Sequence, residues 1–136
     1  MPARAKAIVL DSWSIIAYLE DEPSGEKVEK IIVEAHGLKI PLFTTVVNAG
    51  EVWYILARKM SATKADEGIM DIKSLGIEFV DVDWELVRAA AGVKANHKMS
   101  YADCFAAALA IVKRASLVTG DPEFTQVENE VKINWV

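Results

Sequence analysis

The chain has 136 residues, 52% of them apolar, and a formal net charge of −5. That length suits one domain with a proper core, and the acidic balance argues against a broadly basic nucleic-acid-binding surface while leaving room for a small basic rim. No apolar run is long enough to cross a bilayer or to form a signal-peptide core, and one cysteine with two histidines rules out a disulfide framework and disfavours structural zinc.

In chain order, residues 1–6 read as a short tail before a first strand, Ala7–Leu10, whose unbroken apolar run fits burial on both faces. Asp11-Ser12 turns into a helix carrying Trp13, Ile16, Ala17 and Leu19, and Asp21-Glu-Pro-Ser-Gly25 reads as punctuation. A helix over Glu26–Ala35 places Val28, Ile31, Ile32 and Ala35 on one face, with Gly37 as its stop. Ile40–Thr44 is a second strand despite Pro41, followed by a long helix from Val46 to Met60. Ser61 caps a helix to Leu75 that Gly68 weakens, and Ile77–Val82 is a third strand. Asp83 caps a helix with Leu86, Val87, Ala90 and Val93 inward, and the polar loop Lys94–Lys98 leads to the nearly all-apolar helix Ser100–Val112. Leu117–Thr119 is a fourth strand, and Val131–Trp135 a fifth at the edge. Apolar strands alternating with helices indicate an α/β fold around a parallel sheet. Cys104, on the apolar helix, is expected to be a buried free thiol suited to a reducing cytoplasm.

Four acids interrupt this pattern. Asp103 is the only charge in the apolar helix before Lys113, and Glu51 is the only charge from Val46 to Ala57. Asp11 and Asp121 directly follow strands one and four. A carboxylate in such surroundings costs several kcal/mol of desolvation, on the order of the cost of any buried charge, unless something compensates it. Each has a local explanation. Asp103 can complete a capping box with Ser100, Asp11 and Asp121-Pro122 can cap helices, and Glu51 can pair with an arginine. One shared cause covers all four. Ligands bind beyond the carboxyl ends of parallel strands, winding places the acids there, and a divalent cation would relieve their repulsion. Oxygen-only ligation favours Mg²⁺ or Mn²⁺.

The segments Ile8-Val-Leu-Asp-Ser12, Asn48-Ala-Gly-Glu-Val52, Met99-Ser-Tyr-Ala-Asp103 and Leu117-Val-Thr-Gly-Asp-Pro-Glu-Phe124 together resemble a PIN domain, in particular the small toxin ribonucleases of VapBC toxin–antitoxin operons. No one of these motifs is specific; their order and spacing over nearly the whole chain carry the resemblance. It implies one PIN-like domain over residues 1–136, an α/β/α sandwich with a parallel sheet of four to five strands. It also implies a metal-dependent endoribonuclease that homodimerises and is inhibited by a small antitoxin. Asp11, Glu51, Asp103 and Asp121 fall on the family's acidic positions, and Ser12, Asn48 and Thr119 on the polar positions that support them. Glu123 stands where an Asp is also common. With Mg²⁺ or Mn²⁺ held by the acids, water would attack an RNA phosphodiester without help from a histidine or lysine.

Arg58, seven residues beyond Glu51 on the same helical face, is a candidate for phosphate contact, although a solvated helix end explains it as well. His97 and Lys98 precede the Asp103 helix and are candidates of the same kind, or simply an exposed loop. Asp81-Val-Asp83 resembles a haloacid-dehalogenase pair but lies after the third strand with Trp84 following, so an N-cap accounts for it better. A receiver domain would need paired acids after strand one and a lysine after the last strand. The alternatives that remain are a PIN-like module that binds RNA or protein without cutting, and an RNA-processing PIN nuclease that is not a toxin.

Overall fold

In the computed structural model, which describes residues 6–136, five apolar runs become strands: Ile8–Leu10 (β1), Leu42–Thr45 (β2), Ile77–Val80 (β3), Ser116–Thr119 (β4) and Ile133–Trp135 (β5). The first five residues of the expected tail lie outside the described residues. The strands pair in the order β3-β2-β1-β4-β5, every neighbour parallel, with Ile8 level with Leu42 on one side and Ser116 on the other.

Six α-helices connect them: Ser12–Leu19 (α1), Pro23–Leu38 (α2), Val46–Lys59 (α3), Ala62–Ser74 (α4), Trp84–Asn96 (α5) and Tyr101–Lys113 (α6). A 3₁₀ helix, Pro122–Val127, follows β4. The chain moves from β1 through β2 to β3 in one direction, then jumps back past β1 to β4. Crossovers between parallel strands keep one hand, so that reversal moves the helices to the opposite face. The two cores reflect it. Ile8, Leu10 and Val118 pack with α1 to α4, whereas Val9 and Leu117 pack with α5 and α6. Because both faces are covered, the strands need apolar residues at successive positions, which is why they read as unbroken runs. Helix α6 is central to its layer, with every residue from Asp103 to Ala110 buried. Its alanines let the helix lie close to the sheet.

Helix starts follow local chemistry. Asp11, Thr45, Ser61, Asp83 and Ser100 each accept a hydrogen bond from a backbone N–H in the first turn of the helix they open. Asp121 does the same for the 3₁₀ helix.

Two glycine expectations are corrected. The punctuation ends at Glu22, because Pro23 is already the first helical residue and Gly25 lies inside α2. A Cβ on Gly25 would sit 2.5 Å from the Ala17 carbonyl oxygen, so this glycine serves the close approach of α2 to α1. Nor does Gly37 stop α2. The helix runs through it to Leu38 and closes at Lys39, whose left-handed φ of 58° turns the chain toward β2. The third strand ends at Val80, leaving Asp81–Asp83 as a connector, and α5 takes in Lys94–Asn96 from the expected polar loop. Among the described residues no helix is long and apolar enough to cross a membrane.

Candidate active site

The direction of strand order reverses at β1, so the crevice between the carboxyl ends of β1 and β4 is the place where such a sheet admits a ligand. Asp11 leaves β1 there and Asp121 leaves β4. Asp11 is fully buried. Its Oδ1 accepts the Ser14 N–H at 2.9 Å and its Oδ2 accepts the Thr119 hydroxyl. The same Thr119 oxygen accepts the Asp121 N–H at 3.0 Å, so one threonine locks the two post-strand acids together. Each carboxylate oxygen can accept twice, leaving Asp11 spare lone pairs.

Asn48 ties three helices into this end of the sheet. Its Nδ2 donates to the Ala102 carbonyl in α6 at 3.0 Å and to Ser12 Oγ at the start of α1 at 3.3 Å. Its Oδ1 accepts the Thr45 hydroxyl at 2.7 Å, and its N–H reaches Thr45 Oγ1 at 3.0 Å. Ser12 in turn donates to the Asn48 carbonyl at 3.2 Å. All of Ser12, Thr45 and Asn48 are buried, and removing any partner would strand a dry polar atom.

Above this knot opens a cleft of about 310 Å³ lined by Glu22, Glu51, Asp103, Asp121 and Glu123, with Ser12 and Ser100. Its apolar side is Trp13, Ile16 and Ile55. Among the described residues, none that lines it is basic. Carboxylate oxygens of Asp103, Asp121 and Glu123 lie within 4.8 Å of one another. At an effective dielectric of about 20, each ionised pair so close repels by roughly 3 kcal/mol or more. Burial, helped by a hydrogen bond to Glu123 and the charges of Asp121 and Asp11, pushes Asp103 up to about 8. Burial likewise lifts Asp11 to about 6, against the opposing hydrogen bonds from Thr119 and Ser14. The described lining of the site thus offers crowded acids and no positive charge to offset them. A divalent cation fits that need: the donors are all oxygen, three converge, and the proton Asp103 retains is the one a cation would replace.

The structure brings Asp103 and Asp121 together in the cleft with Glu51 on its α3 wall, and Asp11 lies beneath them, tied to Asp121 through Thr119. At Asp103, the cap bond runs from its N–H to Ser100 Oγ at 3.2 Å, while its carboxyl group turns to Glu123 and Asp121. Arg58, His97 and Lys98 do not line the cleft. Arg58 lies 5.0 Å from the centre of the Tyr54 ring, and the Tyr54 hydroxyl reaches Glu51 Oε2 at 3.4 Å. His97 faces Glu130 at 3.4 Å, and the Lys98 backbone is held on both sides by Gln126. Sequence reasoning gave Glu123 only a passing place and missed Glu22. The 3₁₀ turn, in which the Glu123 N–H bonds Asp121 Oδ1 at 2.9 Å, folds Glu123 back beside Asp121. The Asp-Pro pair was the one available sign of that turn. Nothing local marks Glu22, which reaches the cleft because α1 and α2 pack so closely.

A family model described as PIN domain matches residues 8–130. No curated protein matches the chain by sequence. Among solved structures, the DNA-bound VapBC complex of Salmonella typhimurium contains a chain similar to this one with a TM-score of 0.78 and 15% identity, covering 94% of this chain and 96% of that one. A chain of the Rickettsia felis VapBC2 complex, bound to a DNA fragment from its promoter, gives 0.76 at 14% identity and 94% and 97% coverage. VapC20 of Mycobacterium tuberculosis, a toxin that cleaves the sarcin-ricin loop, gives 0.69 at 19% identity and 89% and 95% coverage. At these identities the likeness shows the fold.

Proposed function

This chain belongs to the PIN-domain family, and from that premise we propose that it is a divalent-metal-dependent endoribonuclease, the toxin of a type II toxin–antitoxin pair. The observation that carries the reading is the convergence of Asp103, Asp121 and Glu123 within 4.8 Å at the switch point of the sheet, above the buried Asp11. Asp11, Glu51, Asp103 and Asp121 would hold Mg²⁺ or Mn²⁺, with Glu123 completing the oxygen set. When bound, such a cation supplies positive charge that makes water a better nucleophile and offsets charge building on the phosphate and the leaving oxygen.

The chain's own residues do the positioning. Thr119 and Ser14 fix the Asp11 carboxylate, Asn48 holds the starts of α1, α3 and α6 in register, and the Asp121 cap sets Glu123. With five acids and no base among the described residues of the cleft, RNA phosphate is repelled until the acids are neutralised. This makes the site dependent on a cation for binding as well as for chemistry. The cleft suits an antitoxin segment that inserts a basic side chain among the carboxylates, a reading supported by the toxin–antitoxin complexes of similar fold.

Purified protein incubated with total RNA should generate new, mappable ends with Mn²⁺ and none with EDTA. Undiminished cutting in EDTA would rule out the metal mechanism. RNA binding with no cutting in any divalent ion would favour a non-cleaving module. Expressed alone, the wild type should arrest growth and Glu51→Gln should not; equal arrest by both would show that toxicity lies outside this cleft.

A further inference from the structure

Two core residues' worth of apolar surface is left out of both cores and turned to the cleft instead. Trp13 and Ile55 are half-buried, line the cleft, and belong to neither hydrophobic core, while Ile16 packs only at the margin of one. Trp13 and Ile16 are three residues apart on α1, and Ile55 is four beyond Glu51 on α3, so helical spacing aligns each with its neighbour along the cleft.

The indole is seated deliberately close to the acids. Gly120, the residue before Asp121, does not have a positive φ, so its backbone does not call for glycine. What calls for it is the ring. A Cβ at Gly120 would lie 2.2–2.6 Å from three atoms of the Trp13 six-membered ring. Any larger residue would evict the indole from its place against the β4–3₁₀ turn, one residue from a carboxylate of the acidic cluster. The cleft thus has an acidic side for a phosphate with its cation and an aromatic and aliphatic side beside it. Its volume of about 310 Å³ is at the small end for ligand sites, room for one nucleotide and not for a paired helix.

We propose that Trp13, flanked by Ile16 and Ile55, is the platform on which one unstacked nucleobase of the substrate rests while the adjoining phosphate lies at the carboxylates. This deepens the nuclease reading and rests on it. Such a platform requires a base that is unpaired and splayed out next to the cut. Stacking accepts any base, so the platform sets geometry and affinity more than base identity.

The test uses a fluorescently labelled single-stranded RNA 12-mer and the same strand made abasic at each position in turn. Binding is read in Ca²⁺ and cleavage in Mn²⁺, with wild type, Trp13→Leu and Trp13→Phe, after melting curves establish that each variant is folded. RNA should quench a tryptophan signal that wild type has and Trp13→Phe lacks. Trp13→Leu should raise Kd and KM about tenfold, within the range that stacking on one aromatic residue supplies, with kcat nearly unchanged. Trp13→Phe should recover most of the loss. One abasic position should weaken wild type by a similar factor and Trp13→Leu by no further amount. Unchanged Kd and KM in folded Trp13→Leu overturn the platform and leave the nuclease reading standing. Quenching and abasic sensitivity with no cutting in any divalent ion overturn the nuclease reading and keep the platform. If Trp13→Leu does not fold, the wild-type scan decides alone, and no quench with no sensitive position overturns the proposal.

Discussion

Asp11 and Asp83 make the same local bond. Each follows a strand region, adopts an extended backbone and accepts the N–H three residues on at 2.9 Å, opening a helix. Asp83 does this in solvent. Asp11 does it fully buried, held a second time by Thr119 and raised to about 6 by desolvation that outweighs its hydrogen bonds. The difference comes from neither residue. It comes from what the chain brings over each: β4 and the Asp121 loop lie beside Asp11, whereas Asp83 sits in a connector with no such cover. An N-cap is a local device, and a site is an N-cap that tertiary structure has closed in.

The sharpest way to break the comparison is to neutralise both residues. Asp11→Asn should lower RNA cleavage to the EDTA background while leaving metal-free stability equal or higher, because an ionised carboxylate at that depth is unfavourable. Asp83→Asn should keep full activity and stability, since asparagine caps as well as aspartate. Asp83→Ala should cost roughly 1 kcal/mol by thermal melting and still cut RNA. Loss of cutting in Asp83→Ala but not in Asp83→Asn would show that capping, not burial, is what matters.

Next in size is the knot beneath Asp11. Asn48→Ala leaves Ser12, Thr45 and the Ala102 carbonyl short of partners in a dry setting and should destabilise by roughly 2–4 kcal/mol, read by urea unfolding. A loss under about 0.5 kcal/mol would mean that water replaces the amide without penalty.

Asp103 sharpens the contrast with a metal titration. Wild type should gain about 2.7 kcal/mol at a hundredfold excess of Mn²⁺ over its Kd. Asp103→Asn should lose most of that gain and be no less stable in EDTA. A mutant that is weaker without metal, by about 0.5–2 kcal/mol, yet responds to Mn²⁺ like wild type would make Asp103 a capping residue only.

The remaining test is in pH. Asp103 and Asp11 are raised in the fold from an ordinary value of 3.8 to about 8 and about 6. The folded protein therefore binds more protons than the unfolded chain between those limits. The stability this contributes is complete below pH 4 and is lost as pH rises through 6 and then 8. In EDTA, the melting temperature of wild type minus that of Asp103→Asn should fall across this window. Saturating Mn²⁺ should flatten the decline by holding the carboxylates ionised. A difference that rises with pH in EDTA would show that the pair is stabilised as charge, by a partner other than metal.

Much of this was legible in the chain. The strands announced themselves as apolar runs because each is covered on both faces, and caps such as Ser61, Asp83 and Ser100 announced helix starts because a cap needs only the next turn of backbone. Glycine was the weaker guide: Gly25 and Gly37 lie inside α2, one for the sake of Ala17 in another helix and the other with nothing near it. The isolation of Asp11, Glu51, Asp103 and Asp121 among apolar residues could be seen in one dimension, because desolvation penalises a lone charge wherever its neighbours are destined for a core. Only the tertiary structure decided that Glu123 and Glu22 join them, that Trp13 lies on Gly120, and that burial raises Asp103 to about 8. Those outcomes depend on distances between segments far apart in sequence, and Coulomb repulsion and close contact act through distance in space, which a one-dimensional pattern does not carry.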